Sequence, residues 1–218
     1  MLEELRADID RYVFTDNTPW WVVVLTRQGI WAMAQYRFSR WVQDKVHIPG
    51  IRLFLKILSA IWRKLIEFTT GIELPNMAEI GKGVFMPHPY GIIISGVKIG
   101  GNCTLCHDVT IGGAGRGNKH GSPTIGDRVY IGPGARIFGP ITIGNDVAIG
   151  ANAVVTKDLP DNAVAVGVPA KIISYKGSND FIVYRERELL SQCQDTSEPT
   201  KIRVIARDSV DEIAKKSC

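Results

Sequence analysis

The sequence predicts an α+β chain in which a helical N-terminal region precedes a parallel β-helix. Two observations carry this prediction. An aliphatic side chain recurs every six residues in the second half, whereas the first 72 residues lack that period. The six-residue series consists of Ile125, Ile131, Ile137, Ile143, Ile149 and Val155, with Ile80, Ile99, Leu105 and Ile111 upstream. Neither an α-helix nor an ordinary strand repeats at six residues, and hexapeptide repeats are typical of a parallel β-helix.

Each position of the hexad has a predicted role. The aliphatic side chain points inward, and three six-residue flats close one coil. The next residue is usually glycine, as at Gly100 and Gly126, and we expect these glycines to allow tight corners through positive φ. The fourth residue after the aliphatic is small or apolar, as at Cys103 and Val129. Because each flat pairs with the next coil, the coils are stable only as a stack.

The series is interrupted once, between Ile111 and Ile125. These residues lie fourteen positions apart, where two hexads would take twelve, and the intervening sequence includes GGAGRGNKHGSP. A glycine-rich stretch of this kind predicts an external loop on a rigid scaffold, and functional residues concentrate in such loops.

The N-terminal region predicts three helices. Their expected limits are 2–14, 20–46 and 51–69, with Thr18-Pro19 as the start of the second. The third helix is basic and amphipathic, so it can either lie on an anionic membrane or pack against its neighbours. Periodicity alone does not separate these alternatives, and we favour packing.

Three domains are therefore expected: a helical domain, a β-helix and a C-terminal tail. Their limits are 1–72, 73–172 and 173–218.

Composition narrows the function. The 218 residues are 45% hydrophobic and 22% charged, which is typical of a globular protein. The net charge of +4 suits an anionic ligand but falls short of a nucleic-acid-binding footprint, so no nucleic-acid partner is expected. The sequence has neither an apolar run of membrane-spanning length nor a signal peptide, so we expect a cytoplasmic location and reduced cysteines.

Histidines are the candidate catalytic residues. His88 lies in the segment MPHPYG, where the repeat slips, and His120 lies in the glycine-rich loop. Histidine suits general-base catalysis near neutral pH. His107 is either structural or part of a site, and His47 is expected in a solvated turn. Cys103, Cys106 and His107 also match a haem-attachment motif, but the hexad explains these positions without a haem or a metal.

From Gly71 to Lys171 the chain resembles the serine acetyltransferases of the hexapeptide-repeat acyltransferase superfamily. The matching segments are GIELPNMAEIGKGV, HPYGIIIS, VTIGGAGRG, IGPGARIFGPITIG, IGANAVV and VGVPAKI. RADIDRY and LTRQGIWAMAQYRFSRWV also look like the helical domain of that family, so the resemblance covers about residues 1–172.

The resemblance implies a homotrimer of left-handed β-helices that bind acetyl-CoA between neighbouring prisms and need no metal. It implies that His88 deprotonates the acceptor hydroxyl, that Glu73, fifteen positions earlier, orients His88, and that Lys119 and His120 contact the acceptor. The implied acetyl-CoA contacts are Gly113, Ala114, Pro133, Ala151 and Lys171. Backbone N–H groups at Gly112 and Gly113 could stabilise the oxyanion.

The sequence departs from the family near the acceptor. Pro87 stands where the family usually carries aspartate, and two residues separate His120 from Pro123 where the family has Arg-His-Pro. We therefore expect an acetyl-CoA-dependent O-acetyltransferase that acts on L-serine in cysteine biosynthesis. The alternative acceptor is a sugar hydroxyl in surface-polysaccharide or glycolipid biosynthesis. A non-enzymatic scaffold would need neither the loop nor the spacing of Glu73 and His88.

Overall fold

The computed structural model describes residues 1–114 and 121–182, and it contains both predicted regions. The helices are α1 (Leu2–Asp16), α2 (Trp20–Thr26), α3 (Gln28–Lys45) and α4 (Pro49–Thr70). The strands are β1 (Glu79–Ile80), β2 (Ile93–Ile94), β3 (Lys98–Ile99), β4 (Thr104–Leu105), β5 (Thr110–Gly112), β6 (Thr124–Ile125), β7 (Tyr130–Ile131), β8 (Arg136–Phe138), β9 (Thr142–Ile143), β10 (Ala148–Ile149), β11 (Val154–Val155), β12 (Val164–Val166) and β13 (Lys171–Ser174).

The strands form three sheets, one for each face of a prism. Their orders are β1-β3-β6-β9, β13-β12-β10-β7-β4 and β11-β8-β5-β2. Pairing is parallel except between β12 and β13. Ile125 pairs with Ile143, and Tyr130 pairs with Ala148, in each case 18 positions further on. A regular coil therefore contains three hexads, which confirms the predicted β-helix.

The hexad aliphatics form the core of the prism. All of them from Ile99 to Val155 are buried, and among the described residues so are the small or apolar side chains four positions after them, including Cys103 and Val129. Burial of this continuous apolar column is the main favourable contribution to the stability of the stack.

The coil that contains the predicted loop is longer than the others. Thr110 pairs with Arg136, 26 positions further on instead of 18. The fourteen positions from Ile111 to Ile125 therefore consist of one hexad and an eight-residue insertion. The sequence alone had suggested two hexads with two extra residues. At the base of the insertion, the backbones of Ala114 and Gly121 exchange hydrogen bonds of 3.0 and 3.1 Å.

The prediction that the hexad glycines supply positive φ is wrong. Positive φ occurs two positions later, at residues such as Asn102 (φ 55°) and Arg128 (φ 56°). A Cβ atom on Gly100 would instead lie 2.5 Å from the carbonyl oxygen of Gly126, and one on Gly126 would lie 2.8 Å from the backbone of Gly144. Glycine is required at these positions because successive coils approach too closely to admit a side chain.

The prediction of one long helix over 20–46 is also wrong. Arg27 is extended (φ −93°, ψ 104°) and separates α2 from α3. Its guanidinium pairs with Asp16 at 2.7 Å, so a tertiary ion pair accompanies the break. Pro19, not Thr18, occupies the N-cap position of α2, since the Thr18 hydroxyl donates backward to the carbonyl of Asp16.

Side chains of α3 bind the backbone of the first coil. The Tyr36 hydroxyl donates to the carbonyl of Ala78 at 2.7 Å and accepts from the N–H of Ile80 at 3.1 Å. The buried Arg37 guanidinium donates to the carbonyls of Ile80 at 2.6 Å and Gly81 at 2.5 Å. Helix α3 is therefore hydrogen-bonded to the strand edge of β1.

Side chains of α1 bind the next part of the same coil. Asp8, fully buried, accepts from the N–H of Val84 at 3.0 Å and pairs with Arg37 at 3.1 Å. Burial raises the pKa of the Asp8 carboxyl, while Arg37 opposes this shift. The Tyr12 hydroxyl donates to the carbonyl of Met86 at 3.0 Å and accepts from its N–H at 2.9 Å. Burial raises the pKa of Tyr12 well above its ordinary value, so this hydroxyl stays protonated.

Helix α4 packs on α3 through one side and exposes large apolar residues on the other. Ser59 and Ile66 are buried, whereas Phe54, Ile61 and Phe68 are exposed. In the part of the chain that the structure describes, no helix is long and apolar enough to cross a membrane.

Candidate active site

His88 lies on an exposed turn in the first coil. Glu73 pairs with Ile93, 20 positions further on, so this coil holds two residues more than a regular one. The N–H of Tyr90 donates to the carbonyl of His88 at 2.8 Å and closes the turn. The extra residues and this turn place the His88 imidazole at the surface of the prism.

The start of the turn is fixed by the helical region. Met86, two residues before His88, has both of its backbone polar groups bonded to the Tyr12 hydroxyl. The Tyr12 ring also contacts Phe85 edge to face, with 4.7 Å between the ring centroids. The position of His88 therefore depends on α1.

His107 lies in the adjacent coil, next to His88. The centroids of the two imidazole rings are 6.5 Å apart, and the rings are inclined at 72°. The carbonyl of His107 accepts from the N–H of Gly134 in the following coil at 3.0 Å. The neighbouring Asp108 is bound by Arg136, with 3.0 Å between their nitrogen and oxygen atoms. The corner is thus rigid, and both imidazoles are exposed.

Glu73 lies on the same side of the prism as this corner. It is exposed, and its backbone pairs with Ile93, five residues after His88. Within residues 1–114 and 121–182, no hydrogen bond joins the Glu73 carboxylate to His88. The orienting role of Glu73 therefore stays a prediction.

Two of the expected acetyl-CoA contacts continue the corner along the prism. Pro133 lies in the coil after His107, next to Gly134, and its carbonyl accepts from the N–H of Asn152 at 2.8 Å. Ala151 precedes Asn152 and is exposed. His88, His107, Pro133 and Ala151 therefore follow one another along a single edge, called here the histidine edge.

The remaining expected contacts lie elsewhere. Strand β5 follows His107 and ends at Gly112, so Gly112 lies at the far end of this strand and Gly113 at the next corner of the same coil. Ala114 forms the base of the insertion with Gly121, and Lys171 begins β13. Within one chain, the structure does not bring Gly112, Gly113 or Ala114 to the histidine edge.

Comparison with known proteins agrees with this architecture. Residues 122–157 match the family described as bacterial transferase hexapeptide (six repeats). A serine acetyltransferase of Helicobacter pylori is 43% identical over 157 residues, which cover 71% of this chain and 86% of that protein. The chain belongs to the serine acetyltransferase family. The resemblance identified from the sequence is therefore confirmed, and so is the prediction of an acyltransferase.

Solved structures of the serine acetyltransferase family show the same fold. A serine acetyltransferase in complex with CoA superposes with a TM-score of 0.67 at 28% identity and covers 79% of this chain and 69% of its own. The soybean serine acetyltransferase complexed with serine gives a TM-score of 0.67 at 30% identity and covers 78% of this chain and 68% of its own.

Two predicted acceptor-binding residues, Lys119 and His120, are not among the residues that the structure describes. In 1–114 and 121–182, no group of three or more histidine, cysteine, aspartate or glutamate side chains is arranged to hold a metal ion.

Cys106, which precedes His107, is not suited to act as a nucleophile. Its side chain is buried, and its sulfur lies 3.6 Å from the Tyr130 hydroxyl. Burial raises the pKa of the Cys106 thiol, which keeps it protonated and unreactive. The exposed groups at this corner are therefore the two imidazoles and Asp108, whose carboxylate is bound by Arg136.

Sequence reasoning missed the role of Tyr12 and did not decide between two interpretations of His107. The four-residue spacing of Asp8 and Tyr12 places both on one face of α1, and this signal could have indicated a buried polar contact. The approach of His107 to His88 could not be obtained from spacing alone, because it depends on the length of the coil between them.

Proposed function

We propose that the protein is a serine O-acetyltransferase, which transfers the acetyl group of acetyl-CoA to the hydroxyl of L-serine and releases O-acetylserine and CoA. The observation that carries the proposal is the 43% identity to a serine acetyltransferase over a segment that contains the exposed His88 corner. The assignment of acetyl-CoA as the acetyl donor is supported by the CoA complex of a related structure.

The proposed reaction requires activation of the hydroxyl. An alcohol is a poor nucleophile until a base removes its proton, and we assign this role to His88. Its imidazole is exposed to an incoming acceptor and lies on a turn fixed by Tyr12. A carboxylate on the far nitrogen of His88 would stabilise the imidazolium that forms, and we assign this role to Glu73.

We further infer that the enzyme is a homotrimer with shared active sites. His88 and Glu73 lie on one side of the chain, whereas Gly113 and Ala114 lie at the next corner. If both sets contact acetyl-CoA, a neighbouring copy must supply one of them, and closed threefold symmetry satisfies this for every copy. Light scattering should give about three times the 24.0 kDa of the chain. A fully active monomer would contradict the shared site.

The acceptor is the part of the proposal with a competing candidate. Pro87 precedes His88 where the family usually carries aspartate, and proline cannot pair with the ammonium group of serine. A sugar hydroxyl needs no such pairing, which favours a polysaccharide or glycolipid acceptor as the second candidate.

The deciding experiment measures thiol release from acetyl-CoA with serine, homoserine, nucleotide sugars and oligosaccharides. The proposal expects turnover with serine. Turnover with a sugar and none with serine would establish the second candidate. In either case, His88→Ala should lower kcat by about 10²–10⁴, the range for loss of a general base, with little change in acetyl-CoA affinity. His47→Ala, a change at an exposed histidine between α3 and α4, is the matched control.

A further inference from the structure

The imidazole of His107 has no hydrogen-bond partner among residues 1–114 and 121–182. The side chain is exposed, and its ring lies beside that of His88. The neighbouring side chains have partners: Cys106 is buried against Tyr130, and Asp108 is bound by Arg136. An exposed imidazole on so rigid a corner, with no hydrogen bond to any described residue, is available to a ligand.

The distance between the two histidines fits one reacting group. Their ring centroids are 6.5 Å apart. A hydrogen bond between heavy atoms is about 2.8–3.0 Å long, so two imidazoles that face each other at this separation can each bind one of two oxygens on the same carbon. A group that receives the attack of a hydroxyl held by His88 can therefore also be hydrogen-bonded by His107.

The order of residues along the histidine edge indicates which group this is. His107 stands between His88 on one side and Pro133 and Ala151, the expected acetyl-CoA contacts, on the other. If acetyl-CoA extends along the edge from Ala151 towards His88, His107 is the last residue beside it before His88. His107 therefore lies beside the thioester, whereas the acceptor hydroxyl lies beside His88.

We propose that His107 is a second catalytic residue, whose imidazole N–H donates a hydrogen bond to the carbonyl oxygen of the acetyl thioester and to the oxyanion formed from it. This inference rests on the proposed acetyl transfer but not on the identity of the acceptor. It replaces Gly112 and Gly113 as the oxyanion donor within the chain, because these glycines lie beyond the histidine edge, at the far end of β5 and just after it.

The step balances without any further reactant. His88 takes the proton of the acceptor hydroxyl as the oxygen bonds to the thioester carbon, and the carbonyl electron pair moves to the oxygen that His107 holds. When this pair returns, the carbon–sulfur bond breaks. The CoA thiolate then takes the proton from His88, and the products are the acetyl ester and CoA.

The test uses His107→Ala and His107→Gln, with His47→Ala as the control. Loss of one oxyanion donor costs about 10²–10³ in kcat, and we expect this for His107→Ala with both KM values little changed. His107→Gln keeps an N–H donor and should recover a clear part of the lost kcat. Equal Tm values for all variants would show that the loss of kcat does not come from destabilised folding.

Three results would overturn the proposal. They are a kcat of His107→Ala close to that of the wild type, a loss confined to the KM of the acceptor, or a glutamine variant no better than alanine. The second result would make His107 an acceptor-binding residue. If the wild type acetylates a sugar and not serine, the proposed function fails, and the same variants are compared with that sugar.

A binding measurement keeps the proposal testable if no acceptor is turned over. A hydrogen bond to the thioester carbonyl should make acetyl-CoA bind about threefold to tenfold more tightly than CoA, the effect of one net hydrogen bond. His107→Ala should abolish this preference and His47→Ala should retain it. An unchanged preference in His107→Ala would contradict the proposed contact.

Discussion

Replacing Gly29 with alanine should destabilise the protein and impair His88 together. Gly29 lies in the first turn of α3, where a Cβ atom would come within 2.2 Å of the Tyr12 hydroxyl and 3.3 Å of the Met86 carbonyl oxygen. The Tyr12 ring is buried, so its hydroxyl cannot move away without breaking both hydrogen bonds to Met86.

The magnitude follows from these contacts. Two hydrogen bonds at about 1 kcal/mol each and an overpacking cost of about 1–3 kcal/mol oppose a gain of about 1 kcal/mol in helix propensity, which leaves a net loss of about 2–4 kcal/mol. For a domain of this size, the Tm should fall by about 5–15 °C. Because Met86 is two residues before His88, turnover should also fall, by about tenfold to a hundredfold, as expected for a displaced catalytic group.

Gly50→Ala is the matched control. Gly50 lies in the first turn of α4, and no described atom lies within 4 Å of a Cβ placed there. This variant should be as stable as the wild type or slightly more stable, with unchanged turnover. Thermal unfolding at one fixed protein concentration and steady-state kinetics measure both effects.

A double variant tests the cause of the effect. Tyr12→Phe removes the hydroxyl that the new methyl group would meet, so Gly29→Ala should cost much less in the Tyr12→Phe background than in the wild type. Additive losses, or a Gly29→Ala protein with wild-type Tm and turnover, would refute the reasoning.

Three further predictions concern charge and pH. Burial raises the pKa of the Cys103 thiol from 9.0 to about 12. Burial of the protonated thiol therefore contributes to the free energy of unfolding below about pH 9, and this contribution, up to about 4 kcal/mol, is lost as the pH rises towards about 12. Between about pH 8 and about pH 11, on either side of the ordinary thiol pKa, the free energy of unfolding in urea should therefore fall less for Cys103→Val than for the wild type. An equal fall in both proteins would contradict this. Arg37→Met should cost about 3–5 kcal/mol because it leaves Asp8 as an unpaired buried charge, whereas adding Asp8→Leu should restore part of the loss; a double variant less stable than the single one would contradict this. If serine is the acceptor, Lys119→Ala should raise the KM of serine and leave that of acetyl-CoA unchanged, whereas an unchanged serine KM would remove Lys119 from the acceptor site.

The β-helix was predictable because its period is a property of the chain itself. The aliphatic series from Ile99 to Val155 has one inward position per hexad, and its burial follows directly. The role of the glycines was not predictable in the same way. The sequence pattern is the same for a glycine that allows positive φ and for one that allows close approach of another coil. Only the short distance between Gly100 and Gly126 shows that the second role applies.

In the helical region, the break between α2 and α3 was not predictable from the sequence. The sequence from Trp20 to Val46 carries apolar residues on both sides of Arg27, and the short polar stretch from Thr26 to Gly29 contains no proline to mark a break. The break coincides with contacts made to α1, namely the ion pair to Asp16 and the close approach of Gly29 to Tyr12. In the site, the position of His88 was expected from the resemblance, whereas its approach to His107 depends on the number of residues in the first coil.

A stack of identical coils has no intrinsic length. The first coil offers its N–H and C=O groups outward as an edge strand does, and such an edge can recruit another chain. Here Tyr36, Arg37, Asp8 and Tyr12 occupy those groups at Ala78, Ile80, Gly81, Val84 and Met86. The helices therefore terminate the stack. They block the addition of a further coil at this end, and they keep a protein built from an extendable repeat at a finite size.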